Sequence, residues 1–149
     1  MTVQLLPDIK FDVKPLIEEY VNYAQPNLTH IESKNIPILH SMFTIDFKSD
    51  ILDSMPHTQK VVDYLKSMYP IESVTYRVLP PNIVYKWHTD SGTPYYHIPL
   101  ITNSGCWFVY EHKCFHMPAD GSLYKVSTSR PHTFMNGGSE YRVHLIGET

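Results

Sequence analysis

The sequence predicts a mainly β domain: a double-stranded β-helix of the jelly-roll, cupin-like kind, with two N-terminal helices packed on one outer face. Two observations predict it. Residues 12–70 hold two stretches of helical periodicity, whereas residues 72–146 break into eight short strand-forming runs divided by Gly-, Asn- and Pro-containing joints. Those joints leave no room for crossover helices, so the strands must pair antiparallel and close most economically as two facing sheets. The 149 residues are long enough to bury a core of their own. The expected organisation is one domain over 1–149, helical over 1–70, with the barrel over 71–147.

In chain order, Leu16, Ile17, Tyr20, Val21 and Ala24 recur at helical spacing, with Asp12 as a plausible cap. Pro15 falls in the first turn, where its missing N–H costs little, and Pro26 ends the helix. A second helix starts near Ser54-Met55-Pro56, sets Val61, Leu65 and Met68 on one stripe, and stops at Pro70. Between the helices, "IPILHSMFTIDF" fits either a strand or an irregular crossing segment. Then follow "SVTYRVL", a Pro80-Pro81-Asn82 turn, "IVYKWHTD", "YYHIPLI", "CWFVYE", "KCFHM", "SLYKV", "HTFM" and "EYRVHLI". Glu111-His112 reads as a hairpin tip, which sets Cys106 opposite Met117 and leaves Cys106 and Cys114 as free, buried thiols.

A net charge of −3 without a basic block gives no reason to expect nucleic acid or an anionic membrane as partner. No apolar run approaches the roughly 20 residues of a membrane helix, and the N-terminal residues lack a signal-peptide pattern. The chain is expected to be cytoplasmic, and the Asn27-Leu28-Thr29 sequon to be without consequence. Oligomeric state is not readable from the sequence.

Chemistry concentrates in two places. In an extended strand residues i and i+2 point the same way, so His88 and Asp90 of "WHTD" offer an imidazole and a carboxylate to one point. Alone, such a pair is equally a strand-end His and a turn-capping Asp. The second place is "STSRPHTFMNGGSEYRVHLIG", where Asn136-Gly137-Gly138 signals a hairpin. A three-residue loop pairs Met135 with Ser139 and sets His132 directly opposite Arg142 on one face; a two-residue loop sets them on opposite faces. Facing inward, Arg142 keeps its charge and needs an anion, and an exogenous carboxylate held bidentately satisfies it. The other possibility is that it points to solvent. Two His and one carboxylate with open positions are the ligand set of non-haem Fe(II) oxygenases.

The order HxD, distal His132, then Arg142 resembles the 2-oxoglutarate- and Fe(II)-dependent dioxygenase superfamily. More narrowly, "YRVLPP", "WHTD", "YYHIPL", "CWF" and "YRVHLI" resemble the aspartyl/asparaginyl β-hydroxylase branch, to which some free-amino-acid proline hydroxylases are related. The resemblance covers residues 72–146. It implies His88, Asp90 and His132 as metal ligands and catalytic centre, Arg142 as the clamp for the distal carboxylate of 2-oxoglutarate, and His97 as a further co-substrate contact. The implied cofactors are Fe(II), 2-oxoglutarate as co-substrate, and O2. The implied reaction hydroxylates a C–H bond of an amino acid or peptidyl side chain while 2-oxoglutarate becomes succinate and CO2. One departure matters: the family often has an Arg two residues before that His, and this chain has Tyr95. A cupin-like module that binds a metal or carboxylate without oxygen chemistry is the alternative reading.

Among weaker candidates, Tyr85, Trp87, Trp107 and Tyr124 are possible pocket walls, and His144 shares the parity of Arg142. Arg77 is a possible substrate or co-substrate contact or a surface charge. Asn136 is expected chiefly to hold its turn. His112 and His116 are expected to be solvated.

Overall fold

The computed structural model describes residues 2–33, 36–90 and 92–149. Among the described residues eleven strands form two sheets, and two α-helices lie against one of them. The strands are β1 (Val3–Lys10), β2 (Thr29–Ser33), β3 (Ile36–Thr44), β4 (Ser73–Leu79), β5 (Ile83–Val84), β6 (Tyr95–Ile101), β7 (Cys106–Tyr110), β8 (Lys113–Phe115), β9 (Ser122–Val126), β10 (His132–Asn136) and β11 (Arg142–Glu148). The larger sheet has the order β1-β9-β6-β11-β4-β3-β2 and the smaller β5-β10-β7-β8. Every pairing is antiparallel, giving the jelly roll that the strand spacing predicted.

The N-terminal segment is less helical than its periodicity suggested. Helix α1 (Val13–Glu19) continues as a π-helical turn (Tyr20–Ala24) and a 3-10 turn (Gln25–Asn27), and α2 spans Pro56–Met68. Asp12 occupies the first cap position but makes no side-chain capping bond. On α2, Val61 and Leu65 are buried as expected, whereas Met68 in the last turn is exposed. "IPILHSMFT" is a strand, β3, paired with β4.

The sequence reading did not anticipate β1 or β2. Both are edge strands and largely exposed, so no buried face forces their patterns to alternate. In β1 the register with β9 slips between Leu6 and Lys10, around Pro7, which cannot donate to a ladder.

Alternation in the central strands sends one set of side chains toward the helices. Val74, Tyr76, Ile98, Leu100, Val143 and Leu145 pack with Leu16, Tyr20, Val61 and Leu65 of the helical layer. The layer is fastened by Glu19, whose buried carboxylate accepts bonds from the backbone N–H of His57 (2.9 Å) and Thr58 (2.7 Å) and from the Thr58 hydroxyl (2.8 Å). It thereby caps the N-terminus of α2, where a carboxylate is favoured by the exposed N–H groups and the helix dipole. Thr58 Oγ1 also meets the Tyr76 hydroxyl at 2.5 Å, tying helix to sheet.

The opposite set, from β3, β4, β6 and β11, faces the smaller sheet. A second core there joins Val3, Phe108, Tyr110, Met117 and Val126, closing one part of the space between the sheets. Tyr110 and Lys113 pair across the expected hairpin tip; Cys106 is buried, but Cys114 is exposed, correcting the expectation for that thiol. Among the described residues no helix is long and apolar enough to cross a membrane.

Candidate metal centre and active-site cavity

A cavity of about 320 Å³ opens between the two sheets. At its mouth lie His88, Asp90 and His132, with one ligand atom from each within 4.8 Å of the others. Asp90 Oδ2 is 3.4 Å from His132 Nε2 and 3.8 Å from His88 Nε2.

The segment holding His88 and Asp90 is not the regular strand expected from "IVYKWHTD". Only Ile83–Val84 forms a strand, and His88 makes an isolated bridge to His132. The segment nevertheless tracks β10 and the loop before it. Tyr85 N–H donates to the Phe134 carbonyl (2.9 Å), His88 and His132 exchange two backbone bonds, and Asp90 N–H donates to the Thr128 carbonyl (2.9 Å).

Both imidazoles are oriented from behind. His88 Nδ1 lies 2.7 Å from the Lys86 carbonyl and His132 Nδ1 lies 2.7 Å from the Arg130 carbonyl. A carbonyl can only accept, so each Nδ1 carries the proton and each Nε2 keeps its lone pair. Two lone pairs and a carboxylate oxygen therefore converge, with second nitrogens satisfied in the way metal-binding imidazoles require. This donor set fits a divalent transition metal, to which His88, Asp90 and His132 would supply three ligands.

Arg142 is 5 % exposed and faces the same cavity, not bulk water. The expected register was wrong: β10 and β11 do not pair. His132 stands opposite Tyr110 in the smaller sheet and Arg142 opposite Leu79 in the larger, so they meet across the barrel. Asn136 explains why the hairpin signal misled. It is fully buried, with Nδ2 donating to the carbonyls of Leu79 (3.1 Å) and Glu140 (2.7 Å), and Oδ1 accepting from Gly138 N–H (3.1 Å). Besides holding its turn, it ties one sheet to the other.

The Arg142 guanidinium lies 5.3 Å from the Phe134 ring centre, forms no ion pair among the described residues, and its Nε has no hydrogen-bond partner. Burial pushes its pKa down to about 10; the Cys106 thiol acts in the opposite sense and the Arg77 charge adds to the depression. It is still a cation at neutral pH, and a buried cation without a counter-ion is a site for an anion.

His97 is buried on the cavity wall, its Nδ1 3.0 Å from Nδ1 of His144. Burial, then the Arg142 charge, lowers both imidazoles well below the ordinary histidine range. Of this neutral pair one donates and one accepts, and the acceptor carries its own proton on Nε2.

Tyr85 lines the cavity, stacked on Phe134 at 4.6 Å. Trp87 and Trp107 are 56 % and 39 % exposed and Tyr124 packs into the second core, so none of the three lines this cavity, although Trp107 borders a smaller pocket beside Cys106 and His144. His112 is exposed, and His116 is held by the Cys106 carbonyl at 3.0 Å. The sequence reading passed over His40, which lines the cavity from β3; assigning that strand was the signal needed to place it on the same face as Arg77.

The family model for aspartyl/asparaginyl beta-hydroxylase matches residues 42–148. The chain belongs to that family. It is accordingly a hydroxylase of the aspartyl/asparaginyl type. Among solved structures, the hydroxylase is similar to a Trichoplax adhaerens prolyl hydroxylase in complex with a hypoxia-inducible-factor peptide fragment: TM-score 0.68, 12% identity, covering 97% of this chain and 81% of that one. It is similar to a Pseudomonas putida prolyl-4-hydroxylase (TM-score 0.63, 12% identity, 98% and 91% covered). A third is a 2OG-Fe(II) oxygenase-family oxidoreductase from Burkholderia pseudomallei (TM-score 0.62, 14% identity, 98% and 82% covered). At these identities the likeness is one of fold. No curated protein matches the hydroxylase significantly.

Proposed function

We propose that this hydroxylase uses Fe(II), held by His88, Asp90 and His132, with 2-oxoglutarate as co-substrate, to hydroxylate a C–H bond of an amino acid or peptidyl side chain. The observation that carries this reading is the convergence of three ligand atoms within 4.8 Å, both imidazoles pinned at Nδ1, beside a buried and unpartnered Arg142. When bound, iron supplies the O2 and C–H chemistry coupled to conversion of 2-oxoglutarate to succinate and CO2.

The chain's own residues do the positioning. Lys86 and Arg130 carbonyls fix the His88 and His132 tautomers, so the donors are set before the metal arrives. Arg142 receives the distal carboxylate of 2-oxoglutarate in a fork of parallel N–H donors, which orients the keto acid toward the triad. His97, buttressed by His144, borders the co-substrate. Tyr85, Phe108 and Phe134 supply apolar walls that exclude water around it.

A peptidyl target is supported by the Trichoplax relative, whose structure contains a peptide. A cytoplasmic location and a single domain over 1–149 are part of the proposal. The test is succinate release by the purified protein under air with Fe(II) and 2-oxoglutarate, screened over amino acids and peptides. Mass spectrometry should find one added oxygen atom in the substrate. A protein that binds iron yet releases no succinate with any of them contradicts the proposal.

A further inference from the structure

Arg77 has no task in the reading above. It stands on β4 opposite His144, faces the cavity, and pairs through Nη2 with Glu148 near the end of β11. Its guanidinium lies 5.7 Å from the centre of the Tyr95 ring and within electrostatic reach of Asp90. The two guanidinium heads therefore stand over different rings, Arg77 over Tyr95 and Arg142 over Phe134.

Glu148 leaves Arg77 unsatisfied, because Nε is buried and has no partner. His40, one strand away, has an equally orphaned Nδ1. Among the described residues four buried side-chain polar atoms lack a partner: those of His40, Arg77, Thr102 and Arg142. All but Thr102 belong to residues lining this one cavity. Each orphaned group costs about 1–3 kcal/mol, so three in one cavity mark it as built for ligand acceptors.

We propose that Arg77, with His40 beside it, forms a second carboxylate subsite in the hydroxylase cavity, distinct from the Arg142 clamp. The inference rests on the triad and clamp as read above. It also answers the departure at Tyr95: where family members place an Arg on β6, this chain brings a guanidinium over the Tyr95 ring from β4. Nε–H and a terminal N–H lie parallel on one edge of a guanidinium, the arrangement that takes a carboxylate bidentately. Glu148 acts as a place-holder on Nη2. The carboxylate has two possible sources, the 2-oxoglutarate carboxylate beside the metal or a carboxylate of the substrate.

Calorimetric titration of the anaerobic Fe(II) protein separates these sources. The variants are Arg77→Gln, Glu148→Gln and the double variant, which removes the pair without stranding Glu148. The probes are 2-oxoglutarate alone, then L-aspartate and L-proline against their carboxamides on protein saturated with 2-oxoglutarate. If the co-substrate is the source, Arg77→Gln and the double variant weaken 2-oxoglutarate about tenfold or more, and Glu148→Gln does not. If the substrate is the source, 2-oxoglutarate affinity stays within about twofold, an acid probe outbinds its amide about tenfold, and Arg77→Gln erases that difference. Folded variants that match the wild type with every probe overturn the subsite. Failure of the wild type itself to bind 2-oxoglutarate would instead sink the reading on which it rests.

Discussion

His88 and His132 exchange two main-chain hydrogen bonds, each N–H reaching the other's carbonyl at 3.0 Å, and their rings lie 4.4 Å apart. A narrow antiparallel bridge thus sets two imidazoles from distant parts of the chain side by side. Asp90, anchored by its own N–H to Thr128, adds a carboxylate to the same point. The donor geometry comes from backbone and is present before any metal binds. His132→Ala is therefore expected to lower metal affinity by more than about a hundredfold while leaving the fold intact. Titration with Co(II), followed by its visible ligand-field bands, checks this.

Arg142 is expected to cost the empty protein stability. An apolar Arg142→Met side chain removes a buried cation that has no counter-ion, so the metal-free variant should be about 1–4 kcal/mol more stable to urea than the wild type. The same variant should bind 2-oxoglutarate about 10–100-fold more weakly, through loss of charge-assisted hydrogen bonds. Gain of stability with loss of binding is the signature of a residue kept for its ligand.

Acid should destabilise the fold through His97 and His144. Burial, then the charge of Arg142, lowers both pKa values well below the ordinary range, and burial with Arg77 and Arg142 lowers His40 to about 4. Unfolded, each titrates near 6.5, so below that pH the unfolded chain binds more protons than the folded one. Stability is complete above about pH 6.5 and falls as pH drops, by up to about 1.4 kcal/mol per pH unit for each imidazole that stays neutral. Urea unfolding between pH 8 and 5 reads the slope, which His144→Gln should flatten.

Glu19 should matter to stability and not to catalysis. Glu19→Ala strands the N–H groups of His57 and Thr58 at the start of α2, on the face of the larger sheet remote from the cavity. The expected loss is about 2 kcal/mol or more in chemical denaturation, with kcat/KM for 2-oxoglutarate unchanged.

The candidate site was more legible in the sequence than the path of the chain around it. His88, Asp90, His132 and Arg142 could be singled out because HxD, a distal His and an Arg ten residues on stand together in the order that the family resemblance carries, though no single piece is specific. The hairpin register that the sequence suggests for His132 and Arg142 does not form. Asn136-Gly137-Gly138 signals that the chain reverses, not that its two arms pair, and here the arms enter different sheets. Only the three-dimensional closure brings His132 and Arg142 to the lining of one cavity. Arg77 is legible only as a cavity contact or a surface charge, and His40 is obscure because its place depends on β3 pairing with β4, a long-range contact with no local pattern behind it. The edge strands β1 and β2 are obscure because they are largely exposed, and without a buried face no apolar alternation is required of them.

The central claim is that one metal sits among His88, Asp90 and His132 with positions left open for a keto acid. Its most direct test is an anaerobic absorption titration with Fe(II) and 2-oxoglutarate. A weak visible charge-transfer band should appear only when both are present, and should be absent from His132→Ala. Tight Fe(II) binding with no band on adding 2-oxoglutarate would contradict the account.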